Sequence, residues 1–273
     1  MSSLTTADRC AAFRQLHHAG RPLRLPNAWD FASAAAFAAA GHPAVGTTSL
    51  GVAAAAGKPD ATAAIRPETV ALTRRLARLP VLLTVDIENG FSDDPGAVAD
   101  LAEELHDAGA VGVNLEDGRP DGFLDPISLL VRKIEATRHR VPNLFLNVRT
   151  DTYWLATSTA EPMRETLRRA TAYSAAGADG FFVPGVLDAD TIRVIADRVP
   201  APLNVLYRPE AHNVEELAAL GVARVSTGSL LFRAALQAAV TSASQLNECT
   251  AQRRPAPLPS YEDVQQLIAP KRN

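Results

Sequence analysis

Val81-Leu82-Leu83-Thr84-Val85-Asp86-Ile87-Glu88-Asn89-Gly90 and Val111-Gly112-Val113-Asn114-Leu115-Glu116-Asp117-Gly118 are near-continuous apolar runs, each ending in carboxylates and a glycine. Alternating hydrophobicity marks a sheet with one wet face, whereas continuous hydrophobicity marks a parallel strand covered on both faces. Runs of the same kind extend outward from this pair. They are Leu23-Arg24-Leu25-Pro26, Ala44-Val45-Gly46-Thr47-Thr48, Leu144-Phe145-Leu146-Asn147-Val148, Gly180-Phe181-Phe182-Val183, Leu203-Asn204-Val205-Leu206 and Ala223-Arg224-Val225-Ser226, which gives eight candidate strands.

Between the strands the period changes. Val98, Leu101, Ala102 and Leu105 recur at i, i+3, i+4 and i+7, as do Ile127, Leu130, Val131 and Ile134, so each set lays one apolar stripe along a helix. Small-residue turns at 40–42, 108–110, 176–178 and 220–222 precede the next strand. Glycine accepts the left-handed backbone that closes a helix, so these are helix-to-strand punctuation and not nucleotide loops.

Eight strands alternating with helices fit a single α/β domain, a (β/α)8 TIM-type barrel, over residues 1–250. A doubly wound open sheet shows the same alternation. The length favours closure, since such barrels run to about 250 residues. The stretch Arg253-Arg254-Pro255-Ala256-Pro257-Leu258-Pro259 cannot continue a helix and reads as a spacer. After it, Ser260 with Asp263 marks a helix start, and Val264, Leu267 and Ile268 form an apolar stripe. Residues 251–273 are therefore read as an arm and terminal helix that packs on a neighbouring subunit.

Composition narrows the function. With 47% hydrophobic and 21% charged residues the chain can bury a large core. A net charge of -3, a pI near 6.1 and 5% aromatic residues offer no basic surface or stacking platform for nucleic acid. Cys10 and Cys249 lack metal-ligand spacing and fit a reducing compartment. No apolar stretch approaches the roughly 20 residues that span a bilayer, and the N-terminus lacks a leader pattern. A cytoplasmic protein with no membrane partner is the expectation.

The candidate site is acidic. Residues i and i+2 of a strand share a face, which turns Asp86 and Glu88 toward one mouth of the barrel, and Glu116 ends the neighbouring strand. Clustered like charges repel unless a cation or proton separates them, and hard oxygen ligands select Mg2+ or Mn2+ over zinc. Asp93, Asp94, Asp117 and Asp125 are read instead as caps or solvated loop acids. Arg149 closes a third strand; it either grips a substrate carboxylate or pairs with Glu116. Thr47-Thr48-Ser49-Leu50-Gly51 offers hydroxyls and N–H groups for an oxyanion, though such clusters are also plain turns. The six histidines are scattered and read as surface or capping groups. No Gly-x-Ser-x-Gly elbow is present, which disfavours acyl-transfer chemistry.

These motifs resemble the isocitrate lyase and phosphoenolpyruvate mutase superfamily, particularly its short mutase-like and methylisocitrate-lyase-like members. The likeness runs from Leu25-Pro26-Asn27-Ala28-Trp29-Asp30 to Gly221-Val222-Ala223-Arg224-Val225-Ser226. The resemblance places the family's Asp-x-Asp metal motif on Asp86-Ile87-Glu88, its Glu-Asp motif on Glu116-Asp117 and its early metal-shell aspartate on Asp60. It further places the oxyanion loop on Thr48-Ser49-Leu50 and the Ala-Arg-Thr-Asp segment on Val148-Arg149-Thr150-Asp151, which favours the carboxylate-gripping role for Arg149. It implies Mg2+ held by Asp60, Asp86, Glu88 and Glu116, a small oxyacid substrate, and a homodimer or homotetramer with a swapped final helix.

The sequence departs from the pattern after Glu116. Isocitrate-type lyases carry there a gating loop with Lys-Lys/Arg-Cys-Gly-His, whose cysteine is the general acid; this chain has Gly118-Arg119-Pro120-Asp121-Gly122-Phe123-Leu124-Asp125-Pro126. The longer mutase loop is shortened too, although Arg119 offers a cation. Oxaloacetate decarboxylase members also dispense with the lyase loop. The resemblance thus implies a carbon-carbon lyase or decarboxylase working through a metal-stabilised enolate. The alternatives are a phosphonate mutase or hydrolase, and a metal-binding homologue without turnover.

Overall fold

The computed structural model describes residues 5–155, 161–247 and 258–268. Its order is α1 (Thr6–Leu16), β1 (Leu23–Leu25), β2 (Asn27–Ala28), α2 (Phe31–Ala39), β3 (Ala44–Thr47), α3 (Ser49–Ala55), α4 (Arg66–Leu76), β4 (Leu82–Asp86), α5 (Pro95–Asp107) and β5 (Gly112–Glu116). There follow α6 (Ile127–Arg140), β6 (Phe145–Arg149), α7 (Pro162–Ala175), β7 (Gly180–Val183), α8 (Ala189–Arg198), β8 (Leu203–Leu206), α9 (Val214–Ala219), β9 (Arg224–Ser226), α10 (Leu230–Ser244) and α11 (Tyr261–Ile268).

All eight expected strands are present, and every pairing is parallel. The first is divided at Pro26. β1 pairs with β9, and β2 pairs with β3, so the nine-segment sheet runs β1-β9-β8-β7-β6-β5-β4-β3-β2 and its two ends are joined by one residue. Proline has no N–H for a ladder, yet its carbonyl accepts from the Gly46 N–H at 2.9 Å. The seam therefore brings the sheet round into a nearly closed TIM-type barrel.

The anticipated helix stripes are buried: Val98, Leu101, Ala102 and Leu105 of α5, and Leu130 and Ile134 of α6. Gly41, Gly109, Gly177 and Gly221 all have positive φ, which is the left-handed turn assigned to them. Inside the barrel, Gly180 is required by contact. A Cβ there would stand 2.7 Å from Asn147 Oδ1.

The N-terminal end of the barrel is plugged by α1. Phe13 is fully buried, edge-on to Phe145 at 5.3 Å between ring centres, within a cluster that adds Cys10, Leu23, Leu25, Ala44 and Val111. His17 is not on the surface as its sequence context implies. It stacks on Phe145 at 4.1 Å, and burial, then the Arg224 charge, push its pKa down to about 3.

At the other terminus, Ser260 and Asp263 cap α11 reciprocally, and α11 lies against α2 of its own chain with Val264 and Ile268 still exposed. The boundary at 250/251 and most of the Pro-rich spacer lie outside the described residues. No helix among the described residues is long and apolar enough to cross a membrane.

The plug makes a stability prediction. Phe13→Ala removes a ring that nothing else can replace, and urea unfolding followed by circular dichroism should show a loss of about 3–5 kcal/mol. A loss below about 1 kcal/mol would mean the barrel floor does not depend on α1.

Candidate functional site

The strand C-termini open onto a cavity of about 190 Å³ lined by Thr48, Ser49, Leu50, Asp60, Asp86, Glu116 and Arg149, together with Asn114, Asp151, Trp154 and Ser226. Seven of the eight residues singled out in the sequence thus meet on one surface. Glu88 is the eighth. It is buried beside the cavity rather than on it, because β4 ends at Asp86 and Glu88 adopts a left-handed backbone, φ 51°. The strand-periodicity argument for its direction therefore fails. Its carboxylate turns to the loop after α3 and accepts the Ala63 N–H at 3.0 Å.

Asp86 caps α3. Its carboxylate accepts the Ser49 N–H at 3.2 Å, while its own N–H donates to Thr47 Oγ1 at 2.8 Å. The Ser49 amide expected to receive a substrate oxyanion is therefore already engaged. Thr48 makes no cap hydrogen bond to that helix.

Arg149 takes the ion-pair role that the sequence left open. Nη1 pairs with Glu116 at 2.7 Å, and Nε and Nη2 fork onto Asp151 at 2.6 and 3.0 Å. Of five guanidinium N–H groups, these contacts use three, and the residue lines the cavity. Its face lies over the rings of Phe182 and Trp154 at 5.8 and 5.9 Å.

Asp151 is not singled out by the sequence reading, although the Arg-x-Asp spacing on one strand end is the available signal. It is held by Asp117, whose carboxylate accepts the Asp151 N–H at 2.9 Å, Thr150 Oγ1 at 2.7 Å, Arg169 Nη1 at 2.9 Å and Tyr173 Oη at 3.0 Å. Asp117 is thus a fully buried strut, not a solvated loop acid. Asp125 is buried as well, 3.6 Å from Lys133. Asp94 caps α5 and Asp93 is exposed, as read from sequence. Gly118 is obligatory, since a Cβ there would meet Asp151 Oδ2 at 2.1 Å.

Burial raises the pKa of Asp86, Glu88 and Glu116, and neighbouring carboxylates add to the shift. Arg149 pulls Asp86 and Glu116 the other way. Its own pKa is held above the usual value because Asp151 and Glu116 more than offset the burial of its charge. Glu88 reaches about 7.

The donors suit a hard cation: all are carboxylate oxygens, and Asp60 Oδ1 and Glu88 Oε1 are buried without a hydrogen-bond partner. In this conformation no three acidic, histidine or cysteine side chains among the described residues draw together tightly enough to hold an ion.

Residues 13–247 match the family model for phosphoenolpyruvate phosphomutase. The chain belongs to that family. Over 237 residues, covering 87% of this chain and 89% of the other, it is 43% identical to an uncharacterized protein of Mycobacterium tuberculosis. It is 32% identical to 2-methylisocitrate lyase of Bacillus subtilis over 70% of this chain and 64% of that enzyme. It is 34% identical to oxaloacetate decarboxylase of Ectopseudomonas mendocina over 63% of this chain and 60% of that one. Phosphonopyruvate hydrolase, solved with oxalate and Mg2+, superposes with a TM-score of 0.81 over 95% of this chain and 94% of that chain at 23% identity, a likeness of fold. The superfamily is enzymatic and includes carbon-carbon lyases.

Glu88 gives a pH prediction. Its pKa is higher folded, about 7, than the ordinary 4.5, so the folded state binds the proton more tightly and stability falls as pH rises between these values. Without divalent cation, wild-type protein should lose roughly 2–3 kcal/mol from this group between pH 4.5 and about pH 8, and Glu88→Gln should not. Urea unfolding at both pH values checks this; an equal fall in the two proteins assigns the titration elsewhere.

Proposed function

We propose that the protein is a Mg2+-dependent carbon-carbon lyase or decarboxylase acting on a small 2-keto or 2-hydroxy dicarboxylate, of the oxaloacetate, methylisocitrate or substituted-malate kind. The observation that supports this best is the meeting of Asp60, Asp86 and Glu116 with Arg149 and the Thr48–Leu50 segment on one small cavity. Asp60, Asp86 and Glu116 would hold the ion, Mg2+ or in its place Mn2+, with Glu88 buried beside them. When bound, it supplies Lewis acidity toward the keto and carboxylate oxygens of the substrate.

The chain's own residues do the rest. Arg149 presents its remaining N–H groups to a substrate carboxylate, and Asp151 fixes the plane of the fork. Thr48, free of helix capping, offers its hydroxyl to developing negative charge, and the Ser49 side chain stands beside it. Trp154, Phe182 and Leu206 wall the cavity and limit water. The loop after Glu116 holds no cysteine to protonate a leaving group, and decarboxylation needs none within the cleavage step.

Relatives named as 2-methylisocitrate lyase and oxaloacetate decarboxylase agree with this reading, and a fold neighbour binds oxalate and Mg2+. The family model itself is that of a phosphomutase, which keeps phosphonate chemistry as the second reading. A homodimer or homotetramer with an exchanged C-terminal helix belongs to the same proposal, supported by the exposed apolar Leu236 and Val240 of α10 and Val264 and Ile268 of α11.

Calorimetry of Mg2+ and oxalate tests the site. Asp86→Ala and Glu116→Gln should each weaken Mg2+-dependent oxalate binding by at least about tenfold, roughly 1.4 kcal/mol; unchanged binding in both removes the site. A screen of 2-keto and 2-hydroxy acids, read as pyruvate released, tests the reaction. Phosphoenolpyruvate or phosphate formed from phosphonopyruvate in a phosphorus NMR assay would select the second reading.

A further inference from the structure

Directly beneath the rim of the barrel lies a layer that the proposed chemistry does not use. Two residues back from five of the rim positions, on the same face of each strand, stand Thr84 below Asp86, Asn114 below Glu116, Asn147 below Arg149, Asn204 below Leu206 and Arg224 below Ser226. Branched aliphatic side chains ordinarily fill a parallel barrel. Here these five are polar and buried.

The layer is organised around one guanidinium. Arg224 is wholly inaccessible to solvent. Its Nε donates to Ser226 Oγ at 3.0 Å and its Nη2 to Asn114 Oδ1 at 3.2 Å. Asn147 Nδ2 donates to the same Asn114 oxygen at 2.9 Å, and Ser226 Oγ donates to Asn204 Oδ1 at 3.0 Å. Arg224 has no ion-pair partner among the described residues, and its Nη1 is buried without an acceptor.

An unpaired buried charge costs several kcal/mol, so folding stability gives no reason for this arginine. The groups it holds do give one. Asn114 and Ser226 both line the cavity, and Asn114 is the register partner of Asp86. Burial lowers the Arg224 pKa to about 9, with the Asp86 charge opposing, so it stays charged at neutral pH.

We propose that Arg224 is a positioning residue of the site: its fork fixes Asn114 and Ser226 in the cavity floor, and its unmatched charge is the fixed counter-charge of the acidic cluster above. The counter-charge half rests on the cation-site reading of that cluster; the fork half does not.

Arg224→Met removes fork and charge, and Arg224→Lys keeps the charge alone. Crystal structures, thermal midpoints, calorimetric Mg2+ titration and steady-state kinetics on the substrate found in the screen are compared with wild type. In the Met variant the midpoint should match or exceed wild type, Asn114 and Ser226 should take new rotamers, and Mg2+ should bind roughly tenfold more tightly because a like charge has gone. Its kcat should fall by at least about tenfold with floor geometry lost. The Lys variant should bind Mg2+ within about twofold of wild type and lose kcat with KM little changed.

A merely structural arginine gives the opposite sign, a lower midpoint with weaker Mg2+ binding. That result, or unmoved Asn114 and Ser226, overturns the proposal. If the Met variant does not fold, the Lys variant decides: unchanged kcat overturns it, and reduced kcat at unchanged Mg2+ affinity supports it. Wild-type protein that takes up no Mg2+ sinks the cation reading alone, and the Asn114 and Ser226 rotamers then decide the fork.

Discussion

Around the Arg149 guanidinium, Glu116 and Asp151 lose their water and gain a charged, directional partner, and the rest of the rim is arranged to keep that contact in place. A fork fixed on one carboxylate can still touch a second, which is the geometry that arginine allows and lysine does not. Asp86 and Glu88 form no ion pair among the described residues. They take backbone N–H groups instead, from Ser49 and Ala63. Around them the chain takes left-handed conformations at Ala61, Ala63, Glu88 and Phe91, none of them glycine. Conformations of that kind cost about 1–3 kcal/mol each and persist where the surroundings impose them.

Support for the fork comes from deeper in the fold. Asp117 collects donors from Thr150 and Asp151 just past β6 and from Arg169 and Tyr173 of α7, and through the Asp151 N–H it fixes the carboxylate that fixes Arg149. A helix on the outside of the barrel is thereby connected to the cavity by three successive polar contacts. The absent Cβ of Gly118 belongs to the same device, because any side chain there would displace Asp151.

Much of this is legible in the amino-acid sequence. Continuous apolar runs, helix stripes and glycine turns specify a parallel sheet covered by helices, since each signal follows from local period and backbone sterics, and chain length favours its closure into a barrel. Pro26 hides one fact: a residue that cannot donate to a ladder can still sit in a strand where the ladder changes partner. Asp60 is reached only through resemblance, because nothing in Gly57-Lys58-Pro59-Asp60 distinguishes a ligand from a loop acid. Glu88 illustrates the opposite failure. Its membership of the acidic cluster is readable, but its direction depends on where β4 stops, and side-chain period says nothing about that. Asp117, His17 and Arg224 escape a sequence reading because a polar residue's burial depends on partners distant along the chain. Only the polar position that recurs two residues before Asp86, Glu116, Arg149, Leu206 and Ser226 points to the layer that Arg224 organises.

Under the proposed function, the segment after Glu116 weighs between reactions that would share one cation site. It folds on itself: Gly118 bridges Leu124, the Arg119 N–H donates to the Phe123 carbonyl at 2.9 Å, and the Gly122 N–H donates to the Arg119 carbonyl at 3.0 Å. Arg119 reaches the cavity lining but divides its charge between Asp121 and Asp125. A hairpin satisfied in this way offers a cation at the mouth and no acidic proton. Cleavage that must protonate a carbanion inside the site would need a donor from elsewhere on the rim, and Glu88, with a pKa near 7, faces the Ala63 amide rather than the cavity. Loss of carbon dioxide leaves its electrons with the neighbouring carbonyl and takes its proton afterward, from solvent. Under the proposed function, the chemistry least dependent on a donor is therefore the one favoured for this rim.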